Sequence, residues 1–473
     1  MPDSQSRDVF LNIASYLVVI AIALLPIFFV PGVFSLASSK LTFAYLSVSL
    51  SLFFLFFYLV KKETKVTLPK QIIFLSVPIV LLVIFLSAWF SKLNFSLSAV
   101  GYGFEVDTLG FLFLLFSLLG LSVIIFQRED FAHLFYKLFL GGFSVAVIYQ
   151  LLKVISRWDF LSFGLFPEKT STLLGNWNEF GFLSGAVFIL ATLSLTRLLG
   201  KEERLAYRVL LPVSLITLIV VNFWLTWLVL AVVLLLLLLI QVRNDREVSL
   251  TPDFSSVQSS LSSKPKKIYL TLIAFLIALV FILPLGSLIK EPVYNFLGIS
   301  FLEVSLSWEG SGKILKGTLG ENFGRFMLGS GPASFPYQWR LLKPADVNLT
   351  EFWNSNFNYA RSLIATFSTT TGLLGLLSWL LFISGFLFLG FKRFFGGDKP
   401  LNFLALSSFL LASYFWLVFI LYSPSVSLLL FSASFSGVFI ASLIGEGSLK
   451  TVAISSRGPR SGAILVSVLA VIL

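Results

Sequence analysis

Stretches of about 20 apolar residues recur along the chain, at approximately 9–30, 41–60, 71–89, 109–126, 137–155, 177–199, 207–222, 225–241, 268–288, 362–390, 401–422 and 426–444. A helix needs about 20 such residues to cross the hydrocarbon core of a bilayer, so the sequence predicts twelve spans. Composition agrees over the whole length. Of 473 residues 57% are hydrophobic and 12% charged, with a mean hydropathy of +0.95, where soluble domains carry about 25% charged residues. A soluble fold could not bury that much apolar surface. The expected fold class is an all-α polytopic membrane protein.

A thirteenth apolar run begins at Gly462 and reaches Leu473, too short to cross, and reads as a partial helix in a truncated C-terminal region. The first run follows MPDSQSRD, with two acids and no basic cluster, and reads as a retained span rather than a signal peptide. Asn222, Trp224 and Trp227 interrupt the stretch between 207 and 241 and predict a hairpin there, the alternative being one long helix.

The counts also exclude chemistry. With no cysteine, disulfides, thiolate metal sites and cysteine nucleophiles are out. The single histidine, His133, excludes a multi-histidine metal cluster and falls in a segment, QREDFAHLFYK, to which no catalytic role is given. No metal and no cofactor are expected. The net charge of +11 is scattered over short loops rather than gathered in a stripe, so no nucleic-acid partner is expected.

Lysine and arginine placement orients the chain. With the N-terminus in the cytoplasm, the inner segments hold 22 of the 34 basic residues and the short outer loops hold five, as the positive-inside rule requires. Eight of the ten tryptophans, Trp89, Trp158, Trp177, Trp224, Trp227, Trp308, Trp339 and Trp353, fall at or beyond the outer ends of spans. An interfacial belt explains tryptophans, but belts populate both faces. The one-sided excess points to a flat amphipathic partner such as a sugar ring.

The outer loop at 289–361 divides the chain into N-terminal membrane helices at 1–288, the loop, and C-terminal membrane helices at 362–473. Its length marks it as functional rather than a bare connector. A short helix is expected at about 312–327, then a turn at GSGPASF. Gly329 and Gly331 in that turn can expose backbone N–H groups to phosphate oxygens, although many such segments simply turn. Arg325, Arg340 and Arg361 surround it, and guanidinium grips phosphate bidentately. Lipid headgroups are one source of that phosphate, and a diphosphate leaving group is another. Arg361 stands at the mouth of a span, where a cation needs a partner or a wet cavity.

Glu179, in STLLGNWNEFGFLSG, is a carboxylate just inside an apolar run. It is either a functional group or half of a structural ion pair with one of those arginines. Asn176 and Asn178 flank it with amides suited to sugar hydroxyls. Glu309, beside Trp308, is the preferred general base among the loop acids Glu291, Glu303, Glu309, Glu321, Asp346 and Glu351. Trp308 and Trp339 are the candidate glycan platforms.

From about Ser171 to Gly375 these features resemble the O-antigen ligase and polymerase superfamily of polytopic bacterial glycosyltransferases. LGSGPASF followed by aromatics and TTTGLLGLLSWL (Thr369 to Leu380) is similar to the end of that family's large loop and its next span. LLGNWNEFGFLSG is similar to its Asn-rich segment. One departure is local: where the family has a His-Asn pair about eleven residues before the TGLLG glycine, this chain has Arg361 and Ser362.

The resemblance implies a multi-pass protein of the bacterial cytoplasmic membrane that transfers or polymerises a glycan. The donor it implies is a polyprenyl (undecaprenyl) diphosphate glycan, and the acceptor a hydroxyl on a glycan, lipid or protein at the outer face. Membrane lipids would be the surroundings, and no nucleotide sugar or metal would be needed. Arg361, Glu309 and Glu179 would be the catalytic candidates and Arg325, Arg340, Arg361, Gly329 and Gly331 the diphosphate contacts. A multi-span lipid or polysaccharide transporter is the competing expectation, with internal repeats, broken helices and midplane charges as its marks.

Overall fold

The computed structural model describes residues 9–455 apart from 33, 61–64, 71, 92–93, 104, 157–163, 165, 198–199, 251–264, 284, 351 and 397–399. The thirteenth apolar run, Trp158 and Glu351 therefore lie outside the described residues. All twelve remaining runs are helical. In chain order the helices are α1 (Val9–Leu24), α2 (Leu36–Val60), α3 (Ile72–Phe90), α4 (Phe95–Val100), α5 (Leu109–Ile125), α6 (Glu129–Ser156), α7 (Trp177–Leu195), α8 (Lys201–Val221) and α9 (Trp224–Leu250). They continue as α10 (Pro265–Ile282), α11 (Leu285–Leu297), α12 (Trp308–Leu319), α13 (Phe323–Leu328), α14 (Phe335–Leu342), α15 (Leu363–Phe395), α16 (Phe403–Leu421) and α17 (Val426–Gly445).

Eight of these (α2, α6, α7, α8, α9, α15, α16 and α17) are long and apolar enough to cross a bilayer alone. Ile268–Ile282 and Gly286–Leu297 make a ninth only as a pair bent by 81°. Helix termination accounts for α1 and α5, whereas α3, 19 residues long, is counted only from Ser76 among the described residues. The α1 run continues to residue 30 in sequence, but the helix stops at Leu24, before Pro26. Helix α5 is held to 17 residues by its Thr108 cap and by Phe126. Among the described residues, a two-stranded antiparallel ribbon, β1 (Lys65–Pro69) with β2 (Thr451–Ser455) in register Lys65↔Ser455, is foreign to the all-helical expectation.

The stretch between 207 and 241 is two helices. Asn222 takes a left-handed conformation (φ 44°, ψ 54°), its N–H closes α8 on the Leu218 carbonyl, and its Nδ2 donates to the Gly286 carbonyl at 2.6 Å. Asparagine tolerates that backbone better than most residues. The two helices then pack on different neighbours, α8 along α7 and α9 along α10.

Helices α7, α16 and α17 form the buried centre, whereas α8 turns most of its surface outward. Between α15 and α16, Trp379 packs at a tilt against Phe367, Trp416 and Phe419 with ring centroids 4.8–6.1 Å apart. The segment at 289–361 has a small core of its own, made by Leu306, Ile314, Phe335, Trp339, Phe357 and Ala360. The single helix expected at 312–327 is split. Gly320 ends α12, and Asn322 starts α13 by accepting the Arg325 N–H at 2.9 Å.

Candidate functional site

At the loop end of the bundle, polar side chains from five parts of the chain converge. Asn176 caps α7, its Oδ1 accepting the Glu179 N–H at 2.9 Å, and the first-turn position of Glu179 suits the positive end of the helix dipole. The carboxylate is 4% exposed. Its Oε1 accepts from Asn176 Nδ2 at 3.4 Å, and its Oε2 has no hydrogen-bond partner among the described residues. Oε2 lies so close to Gly175 that a Cβ there would sit 2.0 Å away. The cation acting on Glu179 is Lys40 of α2, itself 1% exposed and donating to the Leu25 carbonyl. It is not one of the expected arginines: Lys40 stands one residue before the apolar run at 41–60, where a charge usually marks a loop.

Tyr422, between α16 and α17, joins this acid to the arginine. Its hydroxyl accepts from Asn176 Nδ2 at 3.4 Å and Asn178 Nδ2 at 3.5 Å, and the Arg361 guanidinium lies 5.9 Å from its ring centre. Burial raises its pKa, so it stays a neutral phenol. Arg361 Nη1 donates to Glu303 Oε1 at 2.9 Å and to Ser305 Oγ, and its backbone N–H donates to Ser311 Oγ at 2.8 Å. Its side chain is 14% exposed, and its Nε and Nη2 make no hydrogen bond among the described residues. One edge of the fork is fixed and the other is open.

The remaining sequence candidates fall elsewhere. Glu309 is exposed on α12 and pairs with Lys313 at 3.0 Å, one turn on; such a pair is a solvated surface contact. Trp308 next to it is half exposed and does offer a ring face. Trp339 does not: it is 1% exposed, donates from Nε1 to the Ser355 carbonyl at 3.0 Å and meets Phe357 edge-on. It is the centre of the loop's core, not a sugar platform. Arg325 Nε lies 3.3 Å from Glu321, and Arg340 is exposed at the end of α14.

The Gly329–Gly331 turn departs most from expectation. Helix α15 is broken at Gly372 (φ 67°, ψ −162°), which frees the Thr369 and Thr370 carbonyls. The turn supplies their donors: Ser330 N–H to Thr369 at 3.2 Å and Gly331 N–H to Thr370 at 2.7 Å. Ser87 Oγ of α3 donates to the Leu328 and Thr370 carbonyls at 2.6 and 2.9 Å, and the Gly329 N–H closes α13 on Arg325. The expected phosphate-cradling amides are therefore engaged with protein carbonyls in this conformation. A buried N–H finds a partner wherever one is available, and here it is a broken helix.

Beside this turn lies an acid absent from the candidate set. Asp107, 1% exposed, accepts the Ala333 N–H on Oδ2 at 3.2 Å, and its Oδ1 has no hydrogen-bond partner among the described residues. Tyr359, two residues before Arg361, accepts the Val106 N–H at 3.0 Å. Burial first, and then repulsion from Glu105, push Asp107 up to about 7, partly opposed by the Ala333 N–H.

The folded state holds the Asp107 proton up to about pH 7 and the unfolded chain releases it near the ordinary 3.8. Stability from this group is full below about pH 4 and is lost as pH rises to about 7. Asp107→Asn keeps the acceptor for Ala333. It is expected to match wild type at pH 4 and to exceed it by a few kcal/mol (order of magnitude) at pH 8. Thermal unfolding in detergent at both pH values measures this, and a wild type more stable at pH 8 would contradict it.

No protein-family model matches the sequence, and no curated protein matches it either.

Proposed function

We propose that the protein transfers a glycan from a polyprenyl-diphosphate carrier to an acceptor hydroxyl at the loop end of its helical bundle. The observation that supports this most is Arg361. It is a largely buried guanidinium fixed along one edge by Glu303 and Ser305, with its other donors unbonded among the described residues and its face toward Tyr422, whose hydroxyl accepts from Asn176 and Asn178 next to Glu179. Such a fork matches diphosphate oxygens. In the reaction the acceptor oxygen attacks the anomeric carbon, the bond from that carbon to the diphosphate oxygen breaks, and its electron pair leaves with the carrier. Arg361 stabilises the growing charge more in the transition state than before it. The acceptor proton goes to Glu179, which replaces exposed Glu309 as the base of choice. Asn176, exposed at the mouth, and Asn178 would hold sugar hydroxyls. A place in the cytoplasmic membrane of a bacterium, with the N-terminus in the cytoplasm, belongs to the same proposal.

The test is the carrier lipid that copurifies with protein expressed in a bacterial host, read by mass spectrometry. Arg361→Ala is expected to lower its occupancy at least about tenfold, the worth of a charge-assisted hydrogen bond. Arg325→Ala should have a smaller effect and Arg340→Ala the least. Equal carrier in all four proteins would remove Arg361 from the donor site.

Two observations favour the transporter as the second reading: the break of α15 at Gly372 and the 81° bend between α10 and α11. Discontinuous helices are a mark of transporters. Movement of carrier-linked glycan across proteoliposomes without formation of a new glycosidic bond would put it first.

A further inference from the structure

At the opposite end of α7 from Glu179, the ends of four helices line a partly open cavity of about 220 Å³. At ~30 Å³ per water it has room for about seven waters, below the size of a drug-like ligand site but suited to one polar headgroup. Arg197, Gln241, Asn244 and Asn402 give it polar walls, and Ile268 and Leu401 are among its apolar ones. The Arg197 guanidinium lies 4.0 Å from the centre of the Phe403 ring, which holds its plane in place. No carboxylate among the described residues comes within salt-bridge distance of it, although Glu203 acts on it from farther off. Gln241 Oε1 is shielded and has no hydrogen-bond partner among the described residues.

A cation with no carboxylate within salt-bridge distance among the described residues, amides with unused capacity and apolar walls in one small cavity at a helix-bundle end call for an anionic amphiphile. We propose that this cavity binds the headgroup of an anionic phospholipid, its phosphate on Arg197, its glycerol hydroxyls on Gln241 and Asn244, and its chains leaving past Ile268 and Leu401. A zwitterionic lipid would bring its own ammonium close to Arg197 and is disfavoured. The site would make lipid composition an input to the bundle at the end away from the loop, whatever reaction the loop end performs.

The probe is phosphatidylglycerol added to the detergent-purified full chain, with phosphatidylcholine and inorganic phosphate as the other arms, followed by native mass spectrometry. Wild type is expected to retain phosphatidylglycerol over phosphatidylcholine. Arg197→Gln and Gln241→Leu should each lower retention by about tenfold, with thermal unfolding unchanged in at least one of them. Equal retention in wild type and both variants would reduce the lipid to an annular contact and overturn the proposal. Displacement of phosphatidylglycerol by millimolar inorganic phosphate would assign the cavity to a soluble anion and overturn the lipid as occupant.

Discussion

Glu179→Gln is expected to cost at least about 100-fold in glycan transfer, the low end of what a positioned general base contributes. Glutamine has the shape of glutamate, and the Asn176 cap bonds to the backbone N–H of residue 179, so α7 keeps its start. What changes is charge. Lys40, 1% exposed on α2, loses the anion that acts on it, and an uncompensated buried charge costs several kcal/mol. A single variant therefore confounds chemistry with stability. The double variant Glu179→Gln with Lys40→Met separates them, because it removes both charges and is expected to recover wild-type thermal stability while turnover stays lost. Recovery of both would make Glu179 half of a structural pair and nothing more. Gly175→Ala gives a third view. Its Cβ would meet Glu179 Oε2 at 2.0 Å, so it moves the carboxylate without neutralising it and is expected to lower turnover with little loss of the cap.

How much of this was readable in the sequence depends on the kind of signal. Glu179, Asn178 and Arg361 stood out because a charge or amide in an apolar run is costly and must be used or paired. Asn176 was visible as their neighbour, though its role as the α7 cap depends on where the helix starts. Tyr422 closes a run of aliphatic and aromatic residues, and nothing in its own surroundings shows that its hydroxyl bridges two asparagines while its ring faces an arginine. Lys40 and Asp107 sit one to two residues outside their apolar runs, where charges usually mark a loop, and only tertiary packing buries them. The loop misled for a related reason. Trp308 and Trp339 are the same residue type in the same segment, yet one is half exposed and the other lies in a core, a distinction set by which face each short helix buries. The helical class was legible throughout, because composition and run length carry it. Where each helix stops was not, since Pro26 and the Thr108 cap act on single residues inside long apolar runs.

Gly372→Ala is expected to be the most destabilising single change in the bundle, by about 3 kcal/mol or more. The backbone at 372 (φ 67°, ψ −162°) lies in a region essentially restricted to glycine, and occupying it with a side chain costs of order 1–3 kcal/mol. Space adds to strain. A Cβ at 372 would meet the Met327 carbonyl carbon and oxygen and the Gly329 nitrogen, all at 2.6 Å, and backbone cannot swing aside as a side-chain tip can. Gly329 mirrors it, with φ +70° and its own Cβ 2.4 Å from the Thr370 carbonyl carbon. The two glycines thus let the loop turn lie directly on the broken helix, and the Ser330 and Gly331 amides and the Ser87 hydroxyl reach the Leu328, Thr369 and Thr370 carbonyls through that approach. Forcing them apart leaves buried carbonyls unpaired, a further ~1–3 kcal/mol each. Gly312→Ala is the control: it lies in the same loop, inside α12, with nothing within 4 Å of an added Cβ, and gains about 0.5–1 kcal/mol of helix propensity. Thermal unfolding and proteolysis of 289–361 should therefore move in opposite directions for the two variants. If Gly372→Ala melts with wild type and its loop stays protected, the brace between the turn and α15 does not hold the loop, and Arg361 is positioned by Glu303, Ser305 and Ser311.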